Sequence, residues 1–149
     1  MDVYLELDSP AKREHGSGIF IRRDGSAVEI SRSEWDAANP GREPVVLLED
    51  ETEDTCVYHA NITHNLGRMA REAGIYECLW RPEEIRVTHA KQLISMLRVG
   101  LDMLIAQPNH MKQFNPENGW GDYDGFKSFV GRYLEACEEW PDATVRVSR

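Results

Sequence analysis

Between Val57 and Pro82 the chain reads VYHANITHNLGRMAREAGIYECLWRP, its densest mixture of imidazole, amide, guanidinium, indole and phenol groups. Counting about 100° per residue from His64, the apolar positions Leu66, Met69, Ala70 and Ala73 fall on one side of a helix. Arg68 and Arg71 fall beside His64 on the other. An imidazole and two guanidiniums in one stripe, with Asn61, Thr63 and Asn65 around a helix start and its free backbone amides, make a grip for a phosphate or carboxylate. Tyr76, Trp80 and Arg81 follow Gly74, where Pro82 stops a regular helix, and a tryptophan at a bend beside an arginine can stack a flat ring and clamp its charge. The loop Asn115 to Tyr123 repeats the theme with Asn118, Trp120 and Tyr123, the indole flanked by Gly119 and Gly121.

The expected ligand-binding set is therefore Asn61, Thr63, His64, Asn65, Arg68, Tyr76, Trp80, Arg81, Asn118, Trp120 and Tyr123. It carries a geometric demand: both indoles and the His64 ridge must converge on one hollow. Plainer readings stand beside it. The ridge also fits a solvated helix face with an Asn or Thr cap, Trp80 with Leu79 fits a core plug, and the second loop fits a turn before a helix capped by Asp122 or Asp124.

No residue set carries a catalytic signature. Acid-base chemistry would fall to His59 or His64, with Glu77 or Asp122 as orienting carboxylate. Cys56, Cys78 and Cys137 sit in apolar or helical contexts and read as small buried hydrophobes rather than nucleophiles. Cys56, His59 and His64 lie close together, with Cys78, His89 and His110 further on, but at no zinc spacing, so no metal and no cofactor is expected. His15-Gly16-Ser17-Gly18 lacks the lysine of a phosphate loop and reads as the entry to a hairpin.

The elements that must hold these groups are strands first and helices afterwards. Val3, Leu5 and Leu7 alternate with polar positions as a strand does, and Asp24-Gly25 joins Gly18 to Arg22 with Ala27 to Ile30 as a hairpin, the whole forming a meander. A short helical turn spans Ser33 to Ala38 with Ser33 as cap. Val45 to Leu48 and Thr55 to His59 read as strands around the acidic loop Glu49 to Asp54, taken as solvated surface. Three helices follow: a short one ending at Gly74, the longest from Thr88 to Pro108, and one bearing the stripe Phe126, Phe129, Val130, Tyr133, Leu134 and Cys137. Ala143, Val145 and Val147 return as a strand. A single domain over residues 1–149 is expected, of α+β class, with a mainly antiparallel sheet of five or six strands and three helices packed on one face.

The chain has 149 residues, with 26 acidic against 17 basic side chains and a formal charge of -9. That balance repels a phosphate backbone, so direct nucleic-acid binding is not expected. No run approaches the roughly twenty apolar residues of a membrane span, and three unpatterned cysteines suit a reducing compartment. A soluble cytoplasmic protein without a membrane partner is expected, homo-oligomeric because one small domain encloses a pocket poorly.

The blocks Asn61-Ile62-Thr63-His64-Asn65-Leu66, Met69-Ala70, Ala73-Gly74, Leu79-Trp80-Arg81-Pro82, Asn115-Pro116 and Asn118-Gly119-Trp120-Gly121 with Tyr123 together resemble a family of small proteins of tailed phages and prophages. The resemblance runs from about Tyr58 to Arg149. It implies an accessory protein acting in the host cytoplasm and supplies no catalytic residues. Three classes of function compete on these residues. The first is a non-enzymatic binder of a small polar or anionic molecule, such as a nucleotide-derived defence signal that the protein sequesters. The second is an acidic interaction protein docked on a host macromolecule. The third is a small hydrolase or transferase using His64.

Overall fold

The computed structural model describes residues 1–9, 16–46 and 55–149. By its contacts the chain divides into two compact units, Met1–Pro10 with Thr55–Arg149 and Ala11–Asp54. Each has its own sheet.

The first strand, β1 (Asp2–Glu6), alternates with Val3 and Leu5 turned inward and fully buried. The chain then passes through the smaller unit. There β2 (Ile19–Arg23) and β3 (Ser26–Ile30) pair antiparallel from Ile19↔Ile30 to Arg23↔Ser26. Their turn residues Asp24 and Gly25 both take positive φ, 52° and 81°, the geometry an Asp-Gly hairpin supplies. The helix α1 (Arg32–Ala38) starts at Ser31 rather than Ser33. Ser31 accepts from the Glu34 amide, and Glu34 reaches back to the Ser31 amide. Val46 bridges Ile19; Leu47, Leu48 and the acidic loop lie outside the described residues.

The larger unit resumes at β4 (Cys56–Asn61), antiparallel to β1 from Asp2↔Asn61 to Leu5↔Tyr58 with a bulge beyond. A 3-10 turn over His64–Leu66 leads into α2 (Gly67–Glu72). Gly74, at φ 71°, ends that helix as expected. The chain then winds again as α3 (Tyr76–Trp80), and Pro82 opens a 3-10 turn to Ile85.

The next helix begins later than its periodicity suggests. Residues 88–91 are tied to the chain end through Ala90 N to Ala143 O, Lys91 N to Pro141 O and Val145 N to Thr88 O. Those bonds hold the backbone extended or in a 3-10 turn, so α4 covers only Ile94–Ala106. The short α5 (Pro108–Met111) precedes the longest helix, α6 (Tyr123–Glu139), capped by Asp122 through a bond from the Gly125 amide. The final strand, β5 (Thr144–Ser148), pairs with β1.

The class is α+β with antiparallel sheets. Two details differ from expectation: the strands form a three-stranded sheet in the order β4-β1-β5 and a separate hairpin β2-β3, and six helices occur among the described residues. The meander fails because β1 pairs with strands far along the chain. The core of the larger unit lies between Val3 and Leu5 of the sheet and the α6 stripe Phe126, Phe129, Val130, Tyr133, Leu134 and Cys137. Met69, Leu79, Leu97 and Leu104 from the other helices complete it. Each fully buried side chain of this size contributes roughly 1.5–3 kcal/mol. Among the described residues no helix is long and apolar enough to cross a membrane.

Candidate functional site

The His64 ridge forms, with His64, Arg68 and Arg71 all exposed, and each of the three contacts an aromatic ring of the fold. Trp80, only 2% exposed, lies in the core. Its indole N–H donates to Nδ1 of His64 at 3.1 Å, and its ring stacks on Tyr76 with centroids 5.3 Å apart. Indole nitrogen is a donor only, so His64 must be the tautomer with its proton on Nε2. The one basic nitrogen of His64 is thereby occupied. Arg71 closes the stack 3.8 Å above Tyr76, Arg68 lies 5.9 Å from Phe114, and Arg81 pairs with Glu84 at 2.6 Å. A tryptophan gains most by full burial when its N–H finds an acceptor, which is why Trp80 sits here as a plug and not as a stacking platform.

The second aromatic loop separates by residue. Tyr123 is 3% exposed and its hydroxyl donates to Leu104 O at 2.7 Å, so it belongs to the core. Trp120 is 70% exposed. The amides of the loop stabilise the loop itself: Asn118 Oδ1 accepts from Trp120 N at 3.0 Å, and Asn115 Oδ1 from Tyr123 N at 2.8 Å. The two indoles thus occupy opposite environments, one interior and one solvent-facing, and do not frame a common hollow.

A cleft of about 540 Å³ does form in the larger unit, one step along the chain from the expected ridge. Strand β4 and its extension contribute every residue from Tyr58 to Thr63, the glycine loop contributes Gly119 and Gly121, and α6 with its cap contributes Asp122, Gly125, Phe129 and Arg132. Helix positions spaced by three and four make one face. A cavity over the flat of a sheet touches alternate residues, whereas this one touches six in succession, so it follows the strand's edge. Strand and helix run antiparallel across it. At one end Tyr58 stacks on Tyr133, 5.6 Å between centroids, close to Arg132. At the other, Gly121 presses so close to Thr63 and Leu66 that a Cβ there would lie 2.8 Å from Thr63 Cγ2.

The charges around the cleft are unevenly matched. His59 hands Nε2–H to Asp2 Oδ1 at 3.1 Å and stacks on Tyr4, with centroids 4.6 Å apart and planes 9° off parallel. Asn61 Nδ2 donates to the same Asp2 oxygen at 2.9 Å. The Asn61 and His59 bonds hold the Asp2 carboxyl below its ordinary range. Burial pushes the Tyr58 phenol up, against the pull of Arg132. Arg132 is exposed and makes no ion pair or hydrogen bond among the described residues.

Of the expected set, Asn61 and Thr63 line this cleft and Trp120 stands between two of its glycines. His64, Asn65, Arg68, Tyr76, Trp80, Arg81, Asn118 and Tyr123 do not line it. Sequence reasoning passed over Tyr58, Phe129 and Arg132. The available signal was Arg132 next to the apolar stripe of α6, in register with Phe129, Gly125 and Asp122. Burial raises both Cys78 and Cys137 to about 12, which keeps them as thiols. No group of three His, Cys, Asp or Glu side chains placed to hold a metal occurs among the described residues.

Comparison with known proteins finds no matching protein family, curated protein or solved structure.

Proposed function

We propose that this chain is a non-enzymatic binding protein, an accessory protein of the phage type, that takes up a small polar or anionic ligand in the β4–α6 cleft. The observation that carries this reading is Arg132: an exposed guanidinium without an ion pair among the described residues, at the Tyr58 end of a cleft whose other lining residues include His59, Asn61, Thr63, the helix cap Asp122 and the apolar Ile62, Leu66 and Phe129. A cleft of this volume lies in the usual range of ligand sites, and a few placed polar groups are what such sites use for orientation. An unpaired guanidinium binds carboxylate or phosphate through two parallel hydrogen bonds. With Trp80 enclosed and Trp120 outside the lining, neither expected indole is placed in the cleft to stack a nucleotide base, which favours anions recognised by charge and backbone contacts over flat-ringed signals.

The test is retention. Protein incubated in cell extract and desalted should carry a small molecule detectable by mass spectrometry, and Arg132→Ala should lose it while unfolding at the same temperature as the parent. Equal retention by parent and variant overturns the choice of site.

A further inference from the structure

Among the described residues β4 has a strand neighbour on one side only, since the sheet order is β4-β1-β5. Which of its peptide groups lie on the open side follows from the ladder. Ile62 N donates to Met1 O at 2.9 Å and Met1 N to Ile62 O at 3.1 Å, so this pair exchanges both bonds. Antiparallel ladders alternate such pairs, which directs the peptide groups of Ala60 and Tyr58 to Val3 and Leu5 and turns those of His59 and Asn61 away from β1. His59 and Asn61, which carry these outward N–H and C=O groups, both line the cleft, and residues of α6 line it from the other side.

The two walls have matching length. Tyr58 to Thr63 extends about 17 Å at ~3.3 Å per residue, and Asp122 to Arg132 about 15 Å at 1.5 Å per residue. An extended chain of about five residues spans either. The only exposed cation in the lining other than the Asp2-paired His59 is Arg132, and it stands at the Tyr58 end. A strand laid antiparallel on β4 ends its run there, with its C-terminus toward the start of β4.

We infer that the β4–α6 cleft binds the C-terminal tail of a partner protein as an added antiparallel strand, its terminal carboxylate on Arg132. This rests on the cleft being the binding site, and takes its anionic ligand to be a chain-terminal carboxylate rather than a free small molecule. Main-chain bonds to His59 and Asn61 supply sequence-independent affinity, as in strand addition generally. The carboxylate fixes direction and register. The body of the tail is uncharged or basic, because a chain of formal charge -9 repels an acidic segment.

The experiment uses fluorescein-labelled hexapeptide pools with randomised side chains and free C-terminal carboxylates, and the same pools amidated, titrated with the full chain and read by anisotropy. Amidation should weaken binding roughly tenfold, the order of a lost charge-assisted pair. Arg132→Ala should weaken the free-acid pool equally and leave the amidated pool unchanged. N-methylation of the two residues opposite His59 and Asn61 should abolish binding, while methylation of the residue between them should not. Equal binding of acid and amide, or indifference to the position of methylation, overturns the inference. Arg132-dependent binding of inorganic phosphate without any peptide binding leaves the cleft as a site but removes the tail; no Arg132-dependent binding of either removes both. A dimer in sedimentation that excludes the peptides shows that a second copy covers the edge, and also overturns it.

Discussion

Trp80 and His64, sixteen positions apart, are joined by a single hydrogen bond of 3.1 Å from the indole N–H to imidazole Nδ1. That contact converts two residues with the appearance of ligand-binding groups into a structural pair. It fixes the His64 tautomer, fills its lone pair and lets an indole 2% exposed keep a hydrogen-bond partner. His64→Ala should destabilise the fold by about 1–3 kcal/mol, the range for leaving a buried donor without an acceptor. Trp80→Phe should remove the same contact, so urea denaturation of the double variant should give much less than the sum of the two single effects. Additive effects would show that no such bond exists.

Tyr133 presents the opposite case. Its ring is fully buried against Tyr58 and Phe129, and its hydroxyl has no hydrogen-bond partner among the described residues. Burial drives the phenol well above its usual range. Tyr133→Phe keeps the ring and removes an unsatisfied polar atom, so stability should rise by about 1 kcal/mol. A fall of similar size in thermal or denaturant unfolding refutes the account.

Gly100 of α4 packs against Ile75, where an added Cβ would lie 2.3 Å from Ile75 Cγ2. Helix propensity alone favours Gly100→Ala by up to ~1 kcal/mol. Overpacking costs about 1–3 kcal/mol, and it should win. Combination with Ile75→Ala should recover part of the loss relative to the sum of the single variants.

Gly121 has two constraints at once, a φ of 93° and the contact with Thr63 and Leu66. Gly121→Ala should destabilise by about 1–3 kcal/mol. It should also narrow the Thr63 end of the cleft, lowering ligand retention more than Gly119→Ala, whose Cβ would meet nothing within 4 Å. Equal retention by the two variants would place the ligand elsewhere.

Acid should loosen the β1–β4 edge through Asp2. The bonds from Asn61 and His59 hold its carboxyl below the ordinary 3.8. A lowered folded-state value means that the stabilisation is present above 3.8 and disappears as pH falls through the folded value. The stability difference between parent and Asp2→Asn, present near neutrality, should therefore shrink in acid below that point. A difference that persists unchanged at lower pH would separate Asp2 from these partners.

Local patterns carried much of the architecture. The alternation at Val3 and Leu5, the Asp24-Gly25 turn, the stop at Gly74, the α6 stripe and the returning strand at Val145 and Val147 all depend on neighbours within a few residues, and each is legible in order of sequence. The partners of β1 are not: pairing it with β4 and β5 rather than the nearby hairpin is a long-range choice that no local period records. The same holds at the functional level. Residue type marked the 57–82 and 115–123 segments as unusual, yet only packing decided that Trp80 and Tyr123 are interior, because an aromatic ring with a polar tip suits a core contact and a ligand surface equally well until its partners are known. The cleft itself exists only once β4, which among the described residues has a strand neighbour on one side only, lies opposite Arg132, a relation between residues about seventy positions apart. Sequence by itself determined the class, the acidic balance and most elements; tertiary structure alone decided which polar groups found partners within the fold and which remained available to bind.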